Sequence, residues 1–291
     1  MEFIRDNLTD QYGILSLQDS ILKIAVYIDT LCQENDINYI LAGGSALGAI
    51  KYGGFIPWDD DMDIYMKYDD FHKFRRIFEE RGDHDTYYLQ QLSYRDGMVA
   101  SAKLRLNGTT YLERATKDWK IHQGIFIDIF ILHQCPDNVI KQFVQCMAAK
   151  YILAKGQSYK NIRYTGIRKI VTTVLRLLPK DFGTRRALKI IYQYDTIETS
   201  HLCHFMGKAF FKKGIYSSIF LQAYQRHPFE KVQLMISAHT HEYLTKYYGD
   251  YMQLPSQAAR KHAQHAYFWD ITKDYSNYVG ENDKSQERDL V

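Results

Sequence analysis

One short segment of the chain combines strong negative charge with the pattern of a buried strand. The stretch GGFIPWDDDMDIYMKYDD, residues 53–70, contains six aspartates, and four of them lie within the five residues that begin at Asp59. Apolar residues at alternate positions, Met62, Ile64 and Met66, are typical of a strand with one buried face. Because clustered carboxylates repel one another, the fold must place them where a proton or a cation offsets their charge.

Strand geometry predicts where these acids point. Alternate side chains of a strand lie on opposite faces, so we expect Asp61 and Asp63 to share the open face of a strand over residues 61–66. A second apolar strand is predicted at residues 124–132, with isoleucine at every second position and Asp128 on the opposite face. An acid in so apolar a strand is costly unless it is paired or bound to a cation. If the two strands are neighbours, three carboxylates converge.

A convergent set of three carboxylates is expected to take up a proton or to hold a cation. Two like charges about 4 Å apart repel by about 4 kcal/mol at an effective dielectric constant of 20. Carboxylate oxygens suit Mg²⁺ or Mn²⁺, and two bridged ions would neutralise a phosphate and its leaving oxygen in an in-line displacement. We therefore expect two such ions here. The alternative is a solvated acidic turn without metal.

A glycine turn precedes the acids. The apolar run Tyr39–Ala42 followed by Gly43, Gly44 and Ser45 indicates a strand, a tight turn and the start of a helix. Bare backbone N–H groups and a hydroxyl at the positive end of a helix favour phosphate binding. A Gly-Gly-Ser turn, an Asp-x-Asp strand and a later acid together resemble the polymerase-β-like nucleotidyltransferases.

The order of the apolar patterns predicts the fold class. Residues 15–33 and 69–80 have the period of amphipathic helices, and residues 98–113 have an extended, turn-rich pattern. We predict an α/β (α+β) fold in which residues 1–135 form a nucleotidyltransferase-like catalytic core with a mixed sheet. Residues 136–291 are predicted to form a mostly helical part packed on that core. One continuous domain is the alternative.

Composition indicates a globular protein, since 46% of the 291 residues are hydrophobic. The charged start MEFIRDNLTDQYG does not resemble a secretory signal, and no apolar run reaches the roughly 18 residues of a membrane-spanning helix. We therefore expect a cytoplasmic location. The cysteines show no paired metal spacing and are expected to be reduced thiols; they are Cys32, Cys135, Cys146 and Cys203.

A basic segment stands out in the second half of the chain. Residues 151–190 contain ten lysines and arginines and a single acid, whereas the whole chain has a net charge of +3. Within the basic segment, residues 155–189, apolar residues recur at helical spacing from Ile167 to Leu178. A helix of this kind suits the inner surface of an anionic membrane. The alternative is a helix packed on the core with a solvated basic face.

The segment LAGGSALGAIKYGGFIPWDDDMDIYM resembles the signature of the LicD family, phosphocholine transferases of bacterial surface glycans that are related to the fukutin group. The family pattern is a Gly-Gly-Thr/Ser-Leu-Leu-Gly-Ala turn, a basic residue and Gly-Phe-Ile-Pro-Trp-Asp-Asp-Asp-x-Asp. Further matches are KLRLNGTTYLE at 103–113, GIFIDIF at 124–130 and YLTKYYGDYMQLP at 243–255. Lys51 stands where arginine is usual in the family, and Ser45 where threonine is common.

The resemblance implies transfer of a phospho-alcohol, typically phosphocholine from CDP-choline, to a glycan hydroxyl with release of CMP. The acceptor would be a cell-surface glycan such as teichoic acid, lipopolysaccharide or capsule, including lipid-linked forms. In this reading Asp61, Asp63 and Asp128 are catalytic and hold the metal ions together with Asp59. Asp128 would also take the proton of the acceptor hydroxyl.

The resemblance also implies which residues bind the substrate. Gly43, Gly44 and Ser45 would hold the phosphates. A further group of cations would offset phosphate charge, and each has the alternative of an ordinary surface cation: Lys51, Lys103 and Arg105.

A quaternary ammonium group is normally held over aromatic rings. Trp58 is the best single candidate for such a ring in the sequence, and packing of the turn beside Pro57 is its alternative role.

Three other functions remain open. The first is transfer from another CDP-alcohol, with ribitol, glycerol or ethanolamine as the head group. The second is a nucleotidyltransferase that adds NMP to a small molecule, and the third is a non-catalytic binding protein, which the presence of all the acids disfavours. We expect no nucleic-acid partner.

Overall fold

The structure is a computed structural model that describes residues 10–91, 101–159, 164–179, 181–207, 209–253, 256, 260 and 264–278. The α-helices in these parts of the chain are α1 Leu15–Gln33, α2 Gly43–Tyr52, α3 Tyr68–Arg81, α4 Val139–Gln157, α5 Gly166–Leu177, α6 Thr184–Tyr192 and α7 Thr240–Tyr248. The strands are β1 Ile40–Leu41, β2 Asp63–Lys67, β3 Tyr87–Gln90, β4 Ala102–Leu106, β5 Thr110–Glu113, β6 Phe126–Cys135, β7 His201–Cys203, β8 Ile215–Ser217, β9 Tyr224–Phe229, β10 Val232–Ser237 and β11 Ala266–Asp270.

The main sheet is mixed and has β6 at its centre. Its strands follow the order β1-β2-β6-β4-β3, and β7 and β8 extend it from the second half of β6. β2 and β6 are parallel, whereas the other pairs are antiparallel. Two small two-stranded sheets, β9 with β10 and β5 with β11, complete the described strands. The α/β class and the mixed sheet are therefore confirmed.

The apolar alternation of β6 explains why it forms the centre of the sheet. Ile125, Ile127 and Ile129 are fully buried, and they share one core with the apolar face of α1. That face repeats at helical spacing through Leu17 and Ile21. The predicted helices over 15–33 and 69–80 and the strand over 124–132 are confirmed with small shifts of their ends. Residues 98–100 of the predicted extended stretch lie outside the described residues.

The prediction of a mostly helical part after residue 136 is correct for α4 to α6 and for α7, and it is wrong for the strands between α6 and α7 and for β11. Strands β7 to β10 lie between residues 201 and 237. Short runs such as VQLMIS place an apolar residue at every second position over a length too short for a helix. Phe229, Leu234 and Tyr243 contribute to the same core as α1. The division of the chain at residue 135 stays a prediction.

A second apolar core lies between α4, α6 and β7, with Ile152, Ile191 and Phe205 among its buried members. Three of the four cysteines belong to it, and all four are buried free thiols, as predicted. Among the described helices, none combines the length and the hydrophobicity that crossing a membrane requires.

Candidate active site

Two acids from different parts of the chain meet at the parallel pair of strands. In the register of β2 and β6, Asp63 is the direct partner of Asp128, so the predicted neighbourhood of these strands is confirmed. The expectation that Asp61 lies within the strand is wrong, because β2 begins at Asp63. The Asp63 N–H donates to the Ser45 hydroxyl at 2.9 Å, which fixes the first residue of the strand against α2.

The acids just before β2 form a compact group with a histidine from the other end of the chain. Asp59, Asp60, Asp61 and His265 each offer a ligand atom, and these atoms lie within 4.8 Å of one another. His265 Nδ1 is 3.1 Å from an oxygen of Asp61 and 3.4 Å from one of Asp60. His265 was not predicted to belong to this site, since nothing in the local pattern links it to acids 205 residues away.

Asp60 fastens this histidine segment to the site. Its side chain is 1% exposed, and its oxygens accept the backbone N–H groups of His265 and Ala266 at 2.8–3.0 Å. Burial by itself would raise the pKa of Asp60, but the hydrogen bonds from His265 and Ala266 outweigh it and lower that pKa. Asp60 therefore acts as a structural clamp at the start of β11.

The remaining acids carry a charge that the fold offsets only in part. Burial, followed by repulsion from Asp61, raises the pKa of Asp59 and of Asp63 well above the usual range of a carboxyl. Hydrogen bonds to Asp60 and Asp61 raise the pKa of His265 to about 11. The protein therefore supplies cations of its own to some of the acids, and the expectation that a proton or a bound metal ion neutralises the others stays a prediction.

Lys103 is the second of these cations. Its ammonium group lies 2.9 Å from an oxygen of Asp128, and the Ser101 hydroxyl donates to the other oxygen. The ammonium also lies 3.4 Å from the centre of the Phe126 ring. Lys103 therefore compensates Asp128 in this structure, and its predicted contact with phosphate stays a prediction.

The group of acids fits a divalent metal ion. Asp59, Asp61 and Asp63 present carboxylate oxygens, which are hard ligands suited to Mg²⁺ or Mn²⁺. Burial and repulsion from Asp61 raise the pKa of Asp59 and of Asp63, so the ionised forms of both carboxyls are disfavoured without a bound cation. A cation bound in place of a proton would lower the free energy of the ionised carboxylates of Asp59 and Asp63.

The predicted glycine turn is the first turn of α2 and lies against the acids. Gly43 has φ +50°, a conformation that favours glycine. A Cβ at Gly44 would lie 2.8 Å from an Asp59 oxygen, so only glycine lets the helix approach the acid this closely. The Gly43 N–H donates to the Tyr243 hydroxyl at 2.7 Å, and the Ser45 N–H to the Ala42 carbonyl. The phosphate-binding role of the turn stays a prediction.

Two of the predicted phosphate-binding cations have other contacts in the structure. Lys103 and Arg105 do share a face of β4, as expected, but Arg105 is buried and donates to the Gln90 side chain and the Gly124 carbonyl. Burial lowers the pKa of Arg105 to about 10. Lys51 donates to the carbonyls of Met252 and Gln253. The structure therefore brings only Lys103 into contact with an acid of the site.

Trp58 lies in an aromatic group that already contacts a cation. The Tyr12 and Tyr52 rings meet its ring edge-on at 6.0 Å, and the Arg260 guanidinium lies 5.0 Å from its centre. Trp58 is only 8% exposed, in agreement with packing of the turn. The cation contact agrees equally with the head-group hypothesis, which stays a prediction.

Residues 36–147 match the model of the family described as "LicD/FKTN/FKRP, nucleotidyltransferase domain". The chain is 28% identical over 266 residues to "Lipopolysaccharide cholinephosphotransferase LicD" of Haemophilus influenzae, covering 84% of this chain and 94% of that protein. An uncharacterized protein of Rickettsia prowazekii is 30% identical over 104 residues, which are 36% of this chain and 30% of that protein. The matched domain contains the glycine turn and the acids, so the resemblance inferred from these motifs is confirmed.

Proposed function

We propose that the protein transfers a phospho-alcohol from a CDP-alcohol to a glycan hydroxyl and releases CMP, because residues 36–147 match the LicD/FKTN/FKRP nucleotidyltransferase domain. The favoured donor is CDP-choline, because the Haemophilus influenzae relative is a lipopolysaccharide cholinephosphotransferase. The acceptor is a cell-surface glycan of the lipopolysaccharide, teichoic acid or capsule class.

The observation that carries the proposal is the pairing of Asp63 with Asp128 beside the first turn of α2. Clustered carboxylates next to the positive end of a helix are suited to a reaction that transfers a phosphoryl group. We also infer a polymerase-β-like core, since an acid pair on adjacent strands and a glycine turn are its defining parts.

In this mechanism Asp59, Asp61, Asp63 and Asp128 would hold one or two Mg²⁺ or Mn²⁺ ions, which would neutralise charge on the phosphates. The acceptor hydroxyl attacks the phosphorus that carries the alcohol, and its proton passes to a carboxylate oxygen of Asp128. A new P–O bond forms as the phosphoanhydride bond breaks, and CMP leaves with the electron pair of that bond. Gly44 lets the phosphates approach the start of α2, and Lys103 keeps Asp128 in place.

The test is a donor panel. The purified protein, Mg²⁺ and a glycan acceptor are incubated with CDP-choline, CDP-ethanolamine, CDP-ribitol or CDP-glycerol, and CMP and the product mass are measured. We expect CMP together with a product heavier by one phospho-alcohol, with CDP-choline the best donor and no reaction in EDTA. Asp128→Asn should lose at least 100-fold in rate.

The matched control is Asp69→Asn, which removes an exposed acid of α3. A product that gains a nucleotide in place of the phospho-alcohol would assign the chain to the nucleotidyltransferases that add NMP. Full activity in EDTA would overturn the metal-dependent reaction.

A further inference from the structure

Helix α5 lies on the protein without burying any of its own side chains. None of its twelve residues, all of which the structure describes, is buried. Large apolar residues are among the most exposed, with Ile167 at 77%, Ile170 at 65% and Leu177 at 82%. The alternative of a helix packed on the core is therefore wrong, and what covers this apolar face needs an explanation.

The helix is attached to the body through its main chain. The fully buried Lys155 of α4 donates its ammonium protons to the carbonyls of Leu175 and Leu178 at 2.5 and 2.9 Å. These carbonyls belong to the C-terminal turn, where a cation satisfies groups that have no partner within the helix. Lys155 thus binds the C-terminal end of α5 through the main chain of that helix and does not bury the side chains of the helix.

The exposed side chains divide into an apolar and a basic face. At helical spacing, one half of the circumference carries the apolar residues: Ile167, Ile170, Val171, Val174 and Leu177. Arg168, Lys169 and Arg176 occupy the other half. No acidic residue occurs between Lys155 and Lys180 in the sequence, so the charge of the segment that contains α5 has one sign.

We propose that α5 binds to the surface of an anionic phospholipid bilayer, with its apolar face inserted at the level of the lipid headgroups. A helix of this kind buries its apolar side in the boundary between headgroups and acyl chains, and its lysines and arginines contact the lipid phosphates. The single sign of charge favours lipid over a protein partner, whose surface would mix both signs. The proposal is independent of the catalytic function.

Co-sedimentation with vesicles tests this binding. Vesicles of phosphatidylcholine with 30% phosphatidylglycerol are compared with vesicles of phosphatidylcholine alone, at low and high salt. We expect the wild type to bind the anionic vesicles and to dissociate as salt rises, since screening acts within about 8 Å at physiological ionic strength. Each basic residue contributes about fivefold to the partition coefficient, so loss of three positive charges alone costs about 100-fold. The triple variant Arg168→Glu, Lys169→Glu, Arg176→Glu also adds three negative charges and should therefore lose more than about 100-fold.

A matched charge reversal separates local from overall charge. Lys23→Glu, Arg76→Glu and Lys231→Glu change the net charge equally at exposed positions outside α5 and should leave most of the binding intact. The apolar face is tested by Ile170→Gln with Val174→Gln, which should reduce binding at least tenfold without a change in melting temperature.

Two results would overturn the proposal. One is a wild type that ignores anionic vesicles even at low salt. The other is a monomer–dimer equilibrium in analytical ultracentrifugation that Ile170→Gln abolishes while vesicle binding stays unchanged, because a second copy of the chain would then cover the apolar face.

Discussion

Ionised Asp63 destabilises the folded protein in the absence of a cation, because its carboxylate is buried among other acids. Its raised pKa means that folding disfavours the ionised form. In a chelator, wild-type stability should therefore fall as pH rises from about 4 through the raised pKa, since the unfolded state is ionised there. Asp63→Asn should flatten this dependence and raise the melting temperature at pH 7, by about 2 °C for each kcal/mol relieved.

The Asp63→Asn variant also tests metal binding through the stability of the protein. Mg²⁺ that binds only the folded protein stabilises it by about 2.7 kcal/mol at 100 times its dissociation constant. We expect Mg²⁺ to raise the melting temperature of the wild type and of Asp69→Asn, but not that of Asp63→Asn. An equal rise in all three proteins would place the ion elsewhere.

His265 is expected to stabilise the chelated protein with the opposite dependence on pH. Its pKa is raised to about 11 by hydrogen bonds to Asp60 and Asp61. The stabilisation is complete below the ordinary pKa of about 6.5 and is lost as pH rises towards 11. His265→Gln should therefore lower the melting temperature more at pH 6 than at pH 9.5, measured by calorimetry in EDTA.

The control for this pH series is His84→Gln, which changes an exposed histidine between α3 and β3. A His265→Gln variant whose deficit stays constant from pH 6 to pH 9.5 would contradict the ion-pair interpretation.

Helix α7 positions the first turn of α2 through one hydrogen bond. The buried Tyr243 hydroxyl accepts the Gly43 N–H at 2.7 Å. Tyr243→Phe leaves this donor without its acceptor, which costs about 1–3 kcal/mol. We expect a melting temperature lower by about 2–6 °C and a reduced rate of CMP release, because α2 and the acids lie in contact.

Tyr247→Phe is the matched variant for this helix, since it removes a hydroxyl four residues along the same element. An equal loss in both variants would show that the effect comes from general packing of α7 and not from the bond to Gly43.

Elements with a strong local pattern could be predicted from the sequence. The isoleucine repeat of β6 and the helical period of α1 each leave one arrangement that buries their apolar side chains, and both are found. The short strands β7 to β10 could not be predicted in the same way. Each is three to six residues long, and such short runs do not distinguish a strand from part of a helix.

The candidate site could be predicted only where its parts are close in sequence or mark a strand. Asp59, Asp61, Asp63 and Asp128 stand out because acids are unusual beside buried apolar residues. His265 and Tyr243 do not stand out, since a histidine or a tyrosine in a helical or loop region is ordinary. Their partners lie 205 and 200 residues away, and only the folded chain brings them together.

The clamp between Asp60 and the His265 segment has a consequence for the synthesis of the protein on the ribosome. The 205 residues between these partners take roughly 10–40 s to synthesise. Until then the acids near Asp60 have emerged without the histidine and the backbone N–H groups that later hold them. The nascent chain thus passes through a period in which its most highly charged turn must stay hydrated, and the site is completed only after residues 265 and 266 have emerged.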